Sequence, residues 1–154
     1  MSAPGSIRRV STRDDYETPD EVYNPLNEEF GFTIDVCADE DNHKCEAYYS
    51  IEEDGLYYSW SGICWVNPPY SEVKAWLLHA SKQQCTSVAL VPNSTENTWF
   101  HEIAWTTASE IRFIPRRISF LKDGIPQKDN TGGSIIVVWH WPREVLKVST
   151  WDYR

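Results

Sequence analysis

The sequence predicts an α/β fold: a mostly parallel sheet with helices on both faces and an antiparallel last strand. Three observations carry this. Strand-like runs alternate with stretches of helical spacing as far as Phe113. The runs Ile63–Val66 and Ser87–Val91 are short, continuously apolar and bounded by turn residues, as buried strands are. The final run, Ser134–Trp139, is reached through a polar loop and not through a crossover helix, so it returns antiparallel.

Composition narrows the class. The chain has 154 residues, enough for one domain around one core, expected over 16–154 behind a basic arm at 1–15. Its 41% hydrophobic and 14% aromatic content belongs to a folded domain. No apolar run approaches the ~20 residues of a membrane span, and the polar start lacks the apolar stretch of a secretory signal. Cys37, Cys45, Cys64 and Cys85 show no Cys-x-x-Cys pairing, and His43 fits no common zinc spacing, so reduced thiols and no metal are expected.

Net charge is −9, but it is unevenly spread. Residues 14–64 hold 15 of the 23 acidic residues and a single base, Lys44, whereas residues 65–154 hold ten bases and eight acids. The acidic surface is confined to one third of the sequence, which leaves the remainder able to face a polyanion. An acidic protein with no nucleic-acid partner is the competing reading of the charge.

In chain order, Thr18-Pro19-Asp20-Glu21 has the form of a helix start, with Thr18 as N-cap, Pro19 in the first helical position and Glu21 closing a capping box. Val22, Tyr23, Leu26 and Phe30 follow at helical spacing, and Gly31 ends the helix. Phe32–Val36 is a short apolar strand that runs into Asp35-Val36-Cys37-Ala38-Asp39. The acidic and polar stretch 39–49 is irregular. Tyr48, Tyr49 and Ile51 form a further short strand that packs on a ligand or in the core. Asp54-Gly55 reads as a turn. Ile63–Val66 is the next strand and Asn67-Pro68-Pro69-Tyr70 stops it, because two prolines fix φ twice and remove two N–H donors. Ser71 caps a helix with Val73, Trp76, Leu77 and Ala80 on one face. Ser87–Val91 is a strand, Thr98–Trp105 a helix with Trp99, Phe100 and Ile103 inward, and Glu110–Ile114 a strand. Lys122–Gly133 is loop by composition.

The chemistry converges on Asn67-Pro68-Pro69-Tyr70. A stiff loop at the carboxyl end of a strand is where open α/β sheets place their ligands. The Asn67 side-chain amide and the Pro68 carbonyl offer two acceptors to one donor group, and Tyr70 offers a flat ring beside them. This is a site for a planar amine.

Asn67-Pro68-Pro69-Tyr70 matches the (D/N/S)PP(Y/F/W) motif of S-adenosylmethionine-dependent amino-methyltransferases. With Glu17-Thr18-Pro19 upstream and Asp54-Gly55-Leu56 before the motif, the chain resembles the phage-type DNA N6-adenine methyltransferase (Dam) family from about Tyr16 to about Trp139. The resemblance implies a Rossmann-like methyltransferase fold and S-adenosylmethionine as cofactor. It further implies DNA as partner, no membrane, and the cytoplasm of a phage-bearing bacterial host. Thr18 and Pro19 then border the methionine end of the cofactor, although a plain helix cap accounts for them equally well. Asp35 is the first candidate for the cofactor's ammonium group, with a carboxylate capping the following turn as the alternative. The chain departs from the wider methyltransferase pattern in having no Gly-x-Gly after that strand; the small Cys37 and Ala38 stand in its place. Asp39, Glu40, Asp41 and Asn42 are candidates for the ribose hydroxyls. Asp54 is the positional match for the acid that accepts from the adenine amine of the cofactor, with an ordinary Asp-Gly turn as its alternative.

The catalytic set is Asn67, Pro68, Pro69 and Tyr70. Tyr70, Arg116, Arg117 and Lys122, followed by Lys128, are the candidates for base and phosphate contacts. Two alternatives stand: an RNA or protein (glutamine) methyltransferase, which can use the same tetrapeptide, and an inactive relative that binds a nucleic acid or another partner.

Overall fold

The computed structural model describes residues 17–127 and 132–154, so the expected arm at 1–15 and Lys128 lie outside the described residues. A six-stranded sheet forms the middle layer. Its strands are β1 (Ile34–Asp35), β2 (Ile63–Val66), β3 (Thr86–Pro92), β4 (Glu110–Phe113), β7 (Ser134–Trp139) and β8 (Lys147–Thr150). They lie in the order β1-β2-β3-β7-β4-β8. Pairing is parallel from β1 to β3 and between β4 and β8, while β7 runs antiparallel to both of its neighbours.

The mostly parallel sheet is therefore present, and its antiparallel strand is the expected Ser134–Trp139. That strand is not the last, however. β8 follows and closes the edge beside β4. Three of its four residues are exposed, so it carries no apolar periodicity by which a sequence reading finds a strand. A second correction concerns the stretch expected to be loop from Lys122. Leu121–Lys122 (β5) and Ile125–Pro126 (β6) pair as a hairpin. Asp123 and Gly124 turn it with φ of 52° and 76°, the pair of positive values that an Asp-Gly hairpin turn uses.

Side chains alternate across the sheet and define its two faces. Trp65, Val88, Leu90, Ile136 and Val138 point to one face, where Val22, Tyr23 and Leu26 of α1 (Asp20–Phe30) cover them with Ile118 and Phe120. Cys64, Val66, Ala89, Val91, Ile135, Val137 and Trp139 point to the other. There α2 (Val73–Ser81) brings Val73, Trp76, Leu77 and Ala80, as its spacing predicts. The helical segment 98–107, a π-turn over Phe100–Ala104 followed by α3 (Trp105–Thr107), adds Trp99, Phe100 and Ile103. Helices lie on both faces of the sheet.

Polar contacts join the layers. Arg112 on β4 makes a bidentate pair with Glu29 of α1, at 2.8 and 2.6 Å, and reaches Glu110 at 3.1 Å. Arg143 donates to five carbonyls, including those of Ala80, Ser81 and Gln83 at the end of α2. That neutralises the negative end of the helix with a cation.

Candidate active site

A cleft of about 780 Å³, its open mouth included, lies at the carboxyl ends of β1 and β2. Its walls come from four segments that the sequence holds far apart: Glu17-Thr18 before α1, the turn after β1, the segment 49–55, and Asn67 to Glu72 after β2.

β1 is only two residues long because the chain bends after Asp35 to meet segment 47–49. Asp35 N–H donates to the Ala47 carbonyl at 3.1 Å, Tyr49 N–H to the Asp35 carbonyl at 3.0 Å, and Ala38 N–H to the Tyr49 carbonyl at 3.1 Å. The Asp35 carboxyl sits in this bend, 2% exposed. It accepts from Lys44 N–H at 2.9 Å and Cys37 N–H at 3.3 Å. Burial pushes it up to about 7, against those two donors and the nearby positive charge of Lys44 and His43, which favour the ionised form.

Lys44 also lines the cleft. Its ammonium lies 3.2 Å from Glu17 Oε1 and 3.4 Å from Asp20 Oδ1. The cleft thus presents a buried carboxyl and a cation along one wall, a pairing suited to the ammonium and carboxylate of an amino-acid group.

Gly55 packs its backbone closely against the turn after β1. A Cβ there would stand 2.1 Å from the Val36 carbonyl oxygen and 3.1 Å from the Trp76 ring. The contact leaves no room for a side chain at this position. Tyr49, which lines the cleft, stacks on Tyr58 with ring centroids 4.8 Å apart.

After β2, Asn67 and Pro69 line the cleft, Pro68 is buried, and Tyr70 is 37% exposed with its ring edge-on to Phe120. The Asn67 amide donates from Nδ2 to Thr18 Oγ1 at 2.7 Å. This corrects the reading of Thr18 as an N-cap. The cap of α1 is Pro19, with no side-chain cap bond, so the capping box does not form. Ser71 likewise is no cap, because a 3₁₀ turn over Tyr70–Glu72 precedes α2. Gly31 ends α1 as expected, with φ 69° and its N–H on the Asn27 carbonyl.

Of the expected cofactor residues, Thr18, Asp35, Cys37 and Ala38 line the cleft. Pro19 stands beside it. Asp54 does not line it; its side chain accepts from Leu56 N–H at 3.1 Å and caps the 3₁₀ turn Gly55–Tyr57. Among the four ribose candidates Asp39 and Asn42 line the cleft, and they bond to each other's segment through Asp39 N–H to Asn42 Oδ1 at 3.0 Å. Arg116, Arg117 and Lys122 are not among the lining residues; Arg116 is paired with Asp152 at 2.7 and 2.8 Å. The sequence reading missed Glu17 and Lys44 as wall residues. The signal for Lys44 was its isolation as the one base among 15 acids in residues 14–64.

Among the described residues no group of three or more His, Cys, Asp or Glu side chains is placed to hold a metal ion, and no helix is long and apolar enough to cross a membrane. The four cysteines are free thiols, with Cys64 and Cys85 sulfurs 3.8 Å apart in the core.

The chain is similar in sequence to known proteins. The sequence model of the family described as DNA N-6-adenine-methyltransferase (Dam) matches residues 5–152. A DNA N-6-adenine-methyltransferase of Haemophilus phage HP1 (strain HP1c1) is 33% identical over 123 residues, covering 71% of this chain and 71% of the relative. A DNA N-6-adenine-methyltransferase of Escherichia phage T1 is 32% identical over 120 residues, covering 74% of this chain and 50% of the relative. The putative methyltransferase YfdM of Escherichia coli (strain K12) is 40% identical over 65 residues, 37% of this chain and 71% of its own.

Proposed function

Since the chain belongs to the DNA N-6-adenine-methyltransferase (Dam) family, we propose that it transfers a methyl group from S-adenosylmethionine to the exocyclic N6 amine of adenine in DNA, on a Rossmann-like fold. One observation carries the reading: a cleft with a buried carboxyl and a cation at one wall opens onto Asn67 and Pro69 at the end of the neighbouring strand. Asp35 would hold the ammonium of the cofactor's amino-acid end and Lys44 its carboxylate. Tyr49 and Ile51 border the space left for its adenine. When bound, the cofactor supplies a methyl group already activated on a sulfonium.

The residues of this chain then have mainly to align the amine. The N6 lone pair of adenine is delocalised into the ring, which makes it a weak nucleophile. Asn67 Oδ1 and the Pro68 carbonyl, each accepting one amine hydrogen, favour a tetrahedral nitrogen and stabilise the ammonium that develops on it. Tyr70 stacks on the base. Because a base inside a duplex cannot reach this loop, the target nucleotide flips out, at a cost of about a few kcal/mol. Stacking on an aromatic ring offsets about 1–3 kcal/mol of that. Arg116, Arg117 and Lys122 contact phosphates.

The test is transfer of labelled methyl from S-adenosylmethionine to duplex DNA, followed by digestion to nucleosides, with Asn67→Ala alongside. The expected product is N6-methyladenine, absent with the variant. Wild-type turnover by Asn67→Ala refutes the mechanism. Cofactor binding with label appearing only in RNA or protein refutes the substrate.

A further inference from the structure

Asn67 differs from a carboxylate in having two unlike ends. Turned about its terminal bond, the amide presents two donors where an amine needs an acceptor. Something must therefore decide which end meets the substrate. In the structure Nδ2 lies 2.7 Å from Thr18 Oγ1, across 49 residues of sequence. Thr18 is fully buried, and its hydroxyl is not spent on the helix it precedes, whose cap makes no side-chain bond. With Nδ2 held by Thr18 and the amide planar, Oδ1 is the end left toward a donor entering the cleft that both residues line.

We propose that Thr18 is a positioning residue for Asn67: its hydroxyl oxygen accepts from Nδ2 and thereby fixes Oδ1 as the acceptor facing the substrate amine. The inference rests on the role given to Asn67 above. It also gives Thr18 a function distinct from bordering the cofactor, because a residue that only packs against the methionine end would change cofactor affinity and leave the amide alone.

Two readouts test it. In the unliganded chain, the side-chain amide signal of Asn67 in a ¹H–¹⁵N spectrum should show one proton protected from exchange. Thr18→Ser should keep that protection and Thr18→Val should lose it. In methyl transfer, Thr18→Val should lower kcat by about 10- to 100-fold with KM for cofactor and DNA within about twofold, since the loss is one of orientation. Thr18→Ser should restore most of the rate. Thermal unfolding checks that each variant is folded, and Thr18→Ala reads the same signals should Thr18→Val not fold. An unchanged Asn67 amide signal in Thr18→Val, or a raised cofactor KM at normal kcat, overturns the proposal. A wild-type chain that methylates no DNA overturns the proposed function instead, and the amide signal then decides the role of Thr18 by itself.

Discussion

Asp35 shows at the scale of one residue how burial sets behaviour. Its carboxyl is nearly sealed from water, and burial raises it from 3.8 to about 7 despite two N–H donors and the charges of Lys44 and His43. The unfolded chain releases this proton near its ordinary value, while the folded chain keeps it until about 7. The favourable contribution of Asp35 is thus fully present below the unfolded value and is lost as pH rises toward 7. Denaturant unfolding at pH 4.5 and pH 7.5 should show the wild type losing about 3 kcal/mol more than Asp35→Asn across that interval. Parallel profiles for the two proteins contradict this account. Residues of this kind were legible in part. Asp35 and Asn67 could be picked because a carboxylate and an amide at strand ends have obvious uses. Thr18 could not be assigned: an N-cap and a long-range hydrogen bond draw on the same hydroxyl, and only the fold brings Asn67 to it. Lys44 was hidden in an irregular loop whose path depends on its own N–H reaching Asp35.

Among the elements, the strands that bury both faces were legible and the edges were not. Ile63–Val66 and Ser134–Trp139 match the structure residue for residue because a central strand must be continuously apolar. β8 escaped because an edge strand needs apolar residues on neither side, and the β5–β6 hairpin because polar composition masked its Asp-Gly turn. The same limit applied to the cleft. After β1 the small Cys37 and Ala38 stand where a Gly-x-Gly was missed, and Gly55 of segment 49–55 packs directly against the backbone of that turn, a contact the spacing alone could not show. Gly55→Ala therefore has a definite outcome. Its Cβ would meet a backbone carbonyl at 2.1 Å, and the Val36 backbone cannot yield while its N–H is bonded to the Trp65 carbonyl. Overpacking of this kind costs about 1–3 kcal/mol, and the displaced segment narrows the cleft. Calorimetry should show weaker S-adenosylmethionine binding together with a lower Tm. Wild-type values for both refute the contact.

At the scale of the whole molecule, electrostatics must reconcile a net charge of −9 with a polyanionic substrate. Few cations are available, so the state of each one matters. Arg116 is held by Asp152 in a bidentate pair at the protein surface and lies beside the Tyr153 ring. That carboxylate does two things to DNA binding: it occupies the guanidinium, and it places a negative charge next to the phosphates Arg116 would meet. Asp152→Asn removes both effects without touching the cleft. In the proposed complex it should tighten DNA binding at low salt and steepen the slope of log K against log salt by about one, the increment expected for one more neutralised phosphate. Arg116→Ala should reverse that gain when added to Asp152→Asn, and neither change should alter S-adenosylmethionine affinity. The measurement is a fluorescence titration of labelled duplex at several salt concentrations. A slope unmoved by Asp152→Asn removes Arg116 from the DNA-facing surface and assigns the pair to holding the C-terminal segment against the sheet.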